Sequence, residues 1–239
     1  MATWQTATVV ATRHEAHRVK TFRLALPAPV PHLTGQHYVV RLTAPDGYTA
    51  QRSYSVASAP PVAGAPSPAI GPAEIDLTVE RLDGGEVSGF LHDVVEVGHE
   101  IEVRGPIGGW FVWRGDTPAL LVGGGSGVVP LMSMLRLARA TGRSDLVRLV
   151  VSVRTPAHLH YADELPGPEV SVVHTRVPPA GGTRPAGRLT ADDLAPLVLP
   201  GATAYVCGSA RFADAASRLV VEAGIPVDRV RVERFGPTG

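Results

Sequence analysis

Ala119-Leu120-Leu121-Val122-Gly123-Gly124-Gly125-Ser126-Gly127-Val128 is the stretch whose reading decides the fold. A continuous apolar run such as 119–122 suits a parallel strand buried on both faces, because helices cover both sides of that kind of sheet. Glycines end the run at once. Val128, Leu131, Met132, Leu135 and Ala138 then recur at helical spacing, with Pro130 in the first turn, where a missing N–H is tolerated. Outward from this unit toward the C-terminus, buried strands are expected at 146–153, 170–174 and 204–207. A helix is expected over 211–222, ending at Gly224 with Pro226 beyond, and Val230 and Val232 mark a last strand. Strands alternating with helices predict an α/β Rossmann-like domain with a parallel sheet.

Toward the N-terminus the period changes. Phe22, Leu24 and Leu26 fall on alternate positions, as do Tyr38, Val40 and Leu42, then Ile75, Leu77 and Val79, then Ile101 and Val103. Alternation in short runs, with Gly35, Gly47 and Gly98 between them, predicts antiparallel strands with one buried face. Enough of them occur to close an antiparallel β-barrel. One helix is expected over 87–94, and the Pro/Ala/Gly-rich stretch 59–72 reads as a surface loop. The period switches near Gly115-Asp116-Thr117-Pro118, so the expected domains are 1–114, a barrel, and 115–239, the α/β unit.

Composition narrows the function. The chain has 239 residues and a formal net charge of zero, which argues against nucleic acid or an anionic membrane as the main partner. Lys20 is the only lysine, so phosphate recognition falls to arginine, backbone N–H groups and hydroxyls. Cys207 is the only cysteine, which excludes a disulfide or a plant-type iron–sulfur cluster within the chain and fits a reducing compartment. No Cys/His spacing resembles a metal site, and the His158/His160 pair reads as loop residues. No signal peptide or bilayer-spanning run is evident, and a cytoplasmic protein is expected.

The chemistry-bearing residues cluster at strand ends. Gly124, Gly125, Ser126 and Gly127 let a backbone approach a pyrophosphate at a helix N-terminus, although the spacing departs from the usual dinucleotide fingerprint and no P-loop lysine follows. Cys207-Gly208-Ser209 again joins a buried strand to a helix. In the barrel half, Arg52-Ser53-Tyr54-Ser55 sets a guanidinium, an aromatic ring and hydroxyls on one strand. Gly84-Gly85-Glu86-Val87-Ser88 is a second glycine turn at a helix start. Each admits a plainer reading, a tight turn or a polar strand face. Two phosphate-type turns in different domains imply two nucleotides or one long one.

Taken together with Gly35-Gln36-His37-Tyr38, Gly105-Pro106-Ile107-Gly108, Tyr205-Val206-Cys207-Gly208 and Glu233-Arg234-Phe235, these motifs resemble the ferredoxin–NADP reductase superfamily, especially bacterial reductase modules that feed electrons to oxygenases. The similarity runs in order over nearly the whole chain. It implies an FAD-dependent oxidoreductase that accepts hydride from NADPH or NADH at flavin N5. The electrons then pass to a separate acceptor protein, an iron–sulfur, haem or oxidase component. A free flavin or ferric-chelate reductase, and a non-catalytic nucleotide-binding regulatory subunit, are the alternatives.

The resemblance also implies residue roles. Arg52 would bind the FAD pyrophosphate, with Ser53 beside it, and Tyr54 would stack on the isoalloxazine. Ser55 would hydrogen-bond near N5, and Gly85, Glu86, Val87 and Ser88 would hold the diphosphate, in part through the Ser88 hydroxyl. Gly124 to Gly127, Gly208 and Ser209 would receive the nicotinamide dinucleotide. Cys207 would sit beside the nicotinamide and Glu233 near the flavin edge. Phe235 stands where plant-type relatives carry a terminal aromatic over the flavin, but Gly236-Pro237-Thr238-Gly239 follows it here. Ser209 is followed by Ala210 and Arg211 where many relatives carry Pro-x-x-Met. Arg154, at the end of the second α/β strand, inclines the coenzyme toward NADPH, with NADH left open. Tyr161 and Glu164 are expected to cap or pack a following helix. A monomer is expected.

Overall fold

The computed structural model describes residues 2–28, 30–62 and 73–236. Its N-terminal half holds strands β1 (Trp4–Ala16), β2 (Val19–Leu26), β3 (His37–Thr43), β4 (Thr49–Ser55) and β5 (Ala73–Glu80). Helix α1 (Glu86–Asp93) and strand β6 (Glu100–Ile107) follow. The sheet runs β4-β3-β6-β1-β2-β5 with every neighbour antiparallel. A bridge from Val56 to Leu77 joins its two edges and closes the barrel. Phe22, Leu24, Leu26, Tyr38, Val40, Ile75, Leu77 and Val103 form its core, as the alternation predicts. Most of the loop expectation, residues 63–72, lies outside the described residues.

The C-terminal half opens on β7 (Ala119–Gly124), followed by α2 (Val128–Ala140), β8 (Val147–Val153) and β9 (Val170–His174). The short α3 (Ala191–Leu194), β10 (Thr203–Ser209), α4 (Ala210–Glu222) and β11 (Val230–Phe235) complete it. The strands are all parallel, in the order β11-β10-β7-β8-β9. Leu121 packs with α2 on one face of β7, whereas Leu120 and Val122 pack with Ala213, Ala216 and Val220 of α4 on the other. Burial on both faces is the reason the run is apolar throughout.

The chain leaves β7 toward β8 on one side, while β10 lies on the other. Such a reversal of strand order leaves a crevice beyond the strand ends, and in open α/β sheets ligands bind there. The core under α2 also takes in Ala57, Phe111 and Trp113 from the barrel half, so the halves share one apolar contact.

One expectation fails. No helix follows Tyr161 and Glu164; the chain turns there instead, with Tyr161 at a φ of 57°, and Pro166-Gly167-Pro168 stop any helix before β9. Both side chains reach the barrel instead.

Candidate functional site

The site is built from two strand ends and the turns beside them. On the barrel, β4 carries Arg52 and Ser53 exposed, Tyr54 half-buried and Ser55 buried. Register pairs Tyr54 with Tyr38 and Ser55 with His37. Tyr54 packs on the barrel core, and burial pushes its phenol up. Ser55 is buried, and its Oγ has no hydrogen-bond partner among the described residues. An unpaired buried hydroxyl costs about 1–3 kcal/mol, so its persistence points to a partner supplied by a ligand.

In the middle of β4, Arg52 donates from Nη1 to Gln51 O at 2.7 Å, and just before the strand the Tyr48 hydroxyl donates to Glu86 Oε2 of α1 at 3.1 Å. That contact links the start of β4 to the α1 turn. Gly85 is the N-cap of α1 and supplies no side-chain cap, so the N–H groups of Glu86, Val87 and Ser88 have no partner within the helix. The Ser88 hydroxyl is used locally: it donates to Gly85 O at 3.2 Å and accepts from Leu82 N at 3.2 Å. The backbone N–H groups of such a turn suit an anion. Beside the turn lies a cavity of about 900 Å³, with Tyr48, Leu82, Phe90 and Val94 exposed along its wall.

In the second half, Gly125 takes a φ of +55° and no atom stands within 4 Å of where a Cβ would lie. Gly127 is pressed against β10, where an added Cβ would sit 2.1 Å from Cys207 O. At Gly124 and Gly208 the near neighbour is the Phe212 ring, 2.5 and 2.6 Å from the added atoms. The missing side chains there admit Phe212, which sequence reading did not anticipate. Ser209 caps α4, its Oγ accepting from Phe212 N at 3.4 Å.

Cys207 pairs in register with Gly123 on one side and Glu233 on the other. Cys207 is fully buried, and burial, then the Glu233 charge, push its thiol far above the ordinary range. Burial raises the Glu233 carboxyl from its ordinary 4.5 to about 7, and Oε2 has no hydrogen-bond partner among the described residues. Phe235 ends β11 opposite Ser209 and packs against the core under α2. Gly236 is exposed, and residues 237–239 lie outside the described residues. Arg154 is exposed just past β8, and its side chain makes no ion pair among the described residues.

The two halves of the site meet along the segment after Ser55. Ala57 O accepts from Arg136 Nη1 at 2.8 Å and Ser58 O from Ser133 Oγ at 2.7 Å, both donors on α2. The end of β4 and the glycine turn after β7 are thus joined through the helix that the turn opens. Among the described residues no group of three or more His, Cys, Asp or Glu side chains is placed to hold a metal ion. No helix of the described residues is long and apolar enough to cross a membrane.

A closed barrel with an arginine–tyrosine–serine strand, joined to a parallel sheet with a glycine turn at its strand reversal, defines a two-cofactor oxidoreductase. Residues 6–112 match the family described as the oxidoreductase FAD-binding domain, and residues 121–218 the oxidoreductase NAD-binding domain. The chain is 31% identical over 97% of its length to a ferredoxin–NAD(P)+ reductase component from a Ralstonia species. That relative serves naphthalene 1,2-dioxygenase/salicylate 5-hydroxylase systems, and the match covers 69% of it. The propane 2-monooxygenase reductase component of Rhodococcus jostii is 29% identical, the match covering 69% of this chain and 48% of that one. Among solved structures, the Amycolatopsis cytochrome P450 reductase GcoB superposes with a TM-score of 0.78 at 25% identity, over 100% of this chain and 72% of that one. The flavohaem-like FAD/NAD-binding domain of the Vibrio cholerae nitric oxide dioxygenase shares the fold, with a TM-score of 0.80 at 22% identity over 98% and 99% of the two chains. The chain belongs to the ferredoxin–NADP reductase superfamily and is an NAD(P)H-dependent flavoprotein reductase.

Proposed function

We propose that this chain takes reducing equivalents from NADPH or NADH into FAD and passes them to a separate redox protein of an oxygenase system. The observation that carries the reading is the buried Ser55 Oγ at the end of β4, without a partner among the described residues and two residues before Ala57, whose carbonyl accepts from Arg136 of α2. A flavin ring edge laid there would supply the missing hydrogen bond. Bound FAD accepts two electrons from the nicotinamide and can release them singly.

The residues divide the work of holding that group. Tyr54 offers an aromatic face to the isoalloxazine, with Ser53 beside it, and Arg52 offers charge to the pyrophosphate. The free N–H groups of Glu86, Val87 and Ser88 face the same phosphates. The neighbouring cavity, walled by Tyr48, Leu82 and Phe90, is apolar enough for the adenosine end. Gly124 to Gly127, with Gly208 and Ser209, bound the crevice for the nicotinamide dinucleotide, and Arg154 stands ready for a 2′-phosphate. Glu233 would line the place where the two rings meet, with the fully buried Cys207 beside it in register. Phe235, held against the core under α2, would border the flavin at its far side. We place the division between the FAD and NAD(P) units at 114/115, and read the protein as a cytoplasmic monomer.

The Ralstonia relative is a component of dioxygenase systems and the Rhodococcus relative of a monooxygenase, which supports an oxygenase-type acceptor. Anaerobic mixing with NADPH should bleach the flavin absorbance of the FAD-loaded protein. A protein that cannot retain FAD, or whose flavin is inert to both coenzymes, would sink the proposal. Sedimentation tests the monomer.

A further inference from the structure

Between the two halves runs a ring of polar side chains that the flavin and nucleotide roles leave unused. Arg136 of α2 sits at its centre, with all three guanidinium nitrogens engaged. Nη1 donates to Ala57 O at 2.8 Å, while Nε and Nη2 donate to the two Glu164 carboxylate oxygens at 2.9 and 2.6 Å. Glu164 also accepts from Arg13 Nη2 of β1 at 2.9 Å, so a carboxylate from the α/β half is shared between the two halves. Arg139 of α2 donates to the Glu164 carbonyl.

The ring closes through hydroxyls. Tyr161 donates to Thr78 Oγ1 at 2.6 Å, Thr78 and Thr21 lie 2.7 Å apart, and Thr21 donates to Glu15 at 2.6 Å. Because the Thr21 and Tyr161 protons are committed, Thr78 must donate to Thr21, and each threonine gives one hydrogen bond and accepts one. Arg13 Nε donates to Glu15 at 2.8 Å and so leads back to Glu164. The Arg136 guanidinium lies over the Tyr161 ring, 5.1 Å from its centroid. Tyr161, Thr21 and Thr78 are buried.

The placement of this ring gives it a consequence. Ala57 is two residues past Ser55, and Arg136 lies on the helix whose first residue follows the dinucleotide turn. A rigid helix spans about 1.5 Å per residue, so Arg136 is tied to that turn as firmly as to the strand end. Hydride transfer depends on ring-to-ring alignment, and a misplacement of about 1 Å can cost on the order of 100-fold.

We propose that Arg136, held by Glu164 and Tyr161, is a positioning residue that sets the distance between the flavin-bearing strand and the nicotinamide-bearing turn. This rests on the function proposed above. It touches neither cofactor. Its removal leaves each binding site whole and misaligns the two.

The test compares Arg136→Met, Arg136→Lys and Tyr161→Phe with the parent protein, which must first bind FAD and be reduced by NAD(P)H. If the parent fails that requirement, the function itself has failed, and not the positioning. In Arg136→Met we expect FAD and NADP+ dissociation constants within about twofold, flavin reduction at saturating coenzyme slowed at least about tenfold, and weakened long-wavelength flavin–nicotinamide charge-transfer absorbance. Arg136→Lys, which keeps the charge on a single donor nitrogen, should recover part of the rate, and Tyr161→Phe should show the same pattern more mildly. In the FAD-free protein, peptides spanning 55–58 and 160–165 should exchange amide hydrogens faster. Unchanged reduction rates in a folded Arg136→Met or Tyr161→Phe protein would overturn the assignment. So would a loss of rate accounted for by lost FAD or coenzyme binding.

Discussion

Cys207 and Glu233 stand in register on adjacent parallel strands, and the burial they share favours the neutral form of each. A carboxyl whose folded value lies above its unfolded value binds more protons in the native state. Its contribution to stability is therefore complete below the unfolded value and lost as pH rises through the folded one. For Glu233 that window runs from its ordinary 4.5 to about 7. Glu233→Gln should remove this loss, so that at pH 8 the variant gains about 2–3 kcal/mol relative to its standing at pH 4.5. Denaturant midpoints across the window check it; parallel curves for the two proteins would show that Glu233 does not titrate there.

Ser55→Ala should separate the folded chain from the loaded one. Without ligand, deleting an unpaired buried hydroxyl relieves about 1 kcal/mol of desolvation, so the FAD-free variant should melt at or above the parent. With FAD bound, reduction by coenzyme should slow by about tenfold, the worth of one hydrogen bond to the reacting ring edge. A variant that is less stable without FAD and unchanged in rate would show that Ser55 serves packing.

Two alanines in the glycine turn after β7 should behave differently. At Gly127 an added Cβ meets the Cys207 carbonyl at 2.1 Å, backbone against backbone, so the strand must move. Gly127→Ala should cost about 2–3 kcal/mol of stability. At Gly125 space is open and only the positive φ resists, so Gly125→Ala should cost about 1 kcal/mol. Equal costs in urea unfolding would contradict the geometry.

Arg154→Ala tests coenzyme choice. Loss of a charge-assisted contact to a 2′-phosphate should lower kcat/KM for NADPH by about 10–100-fold and leave NADH within about twofold. An unaltered NADPH to NADH ratio would free Arg154 of any such role.

How far each feature could be read from the sequence depended on how local its cause is. The strand 170–174 and the helix ending before Gly224 were legible because apolar period and glycine–proline punctuation act over a few residues. The glycine turn after β7 was legible for the same reason, and the strand order then set it at the crevice. The expected helix after Glu164 failed, since Tyr161 and Glu164 serve the barrel; Arg13 and Glu164 are 151 residues apart. The Ser88 hydroxyl bonds within its own turn, a contact no residue pattern announces.

By itself, then, the sequence determined a barrel, a parallel α/β sheet and the strand ends where cofactors would lie. Period, turn chemistry and motif order are written in neighbouring residues, and those suffice for such features. The tertiary structure decided which hydroxyl is left unpaired, what fills the gap at Gly124, and how Arg136 ties strand to turn. Those depend on surfaces brought together from distant parts of the chain. Periodicity reports that a face is buried, and only packing reports against what.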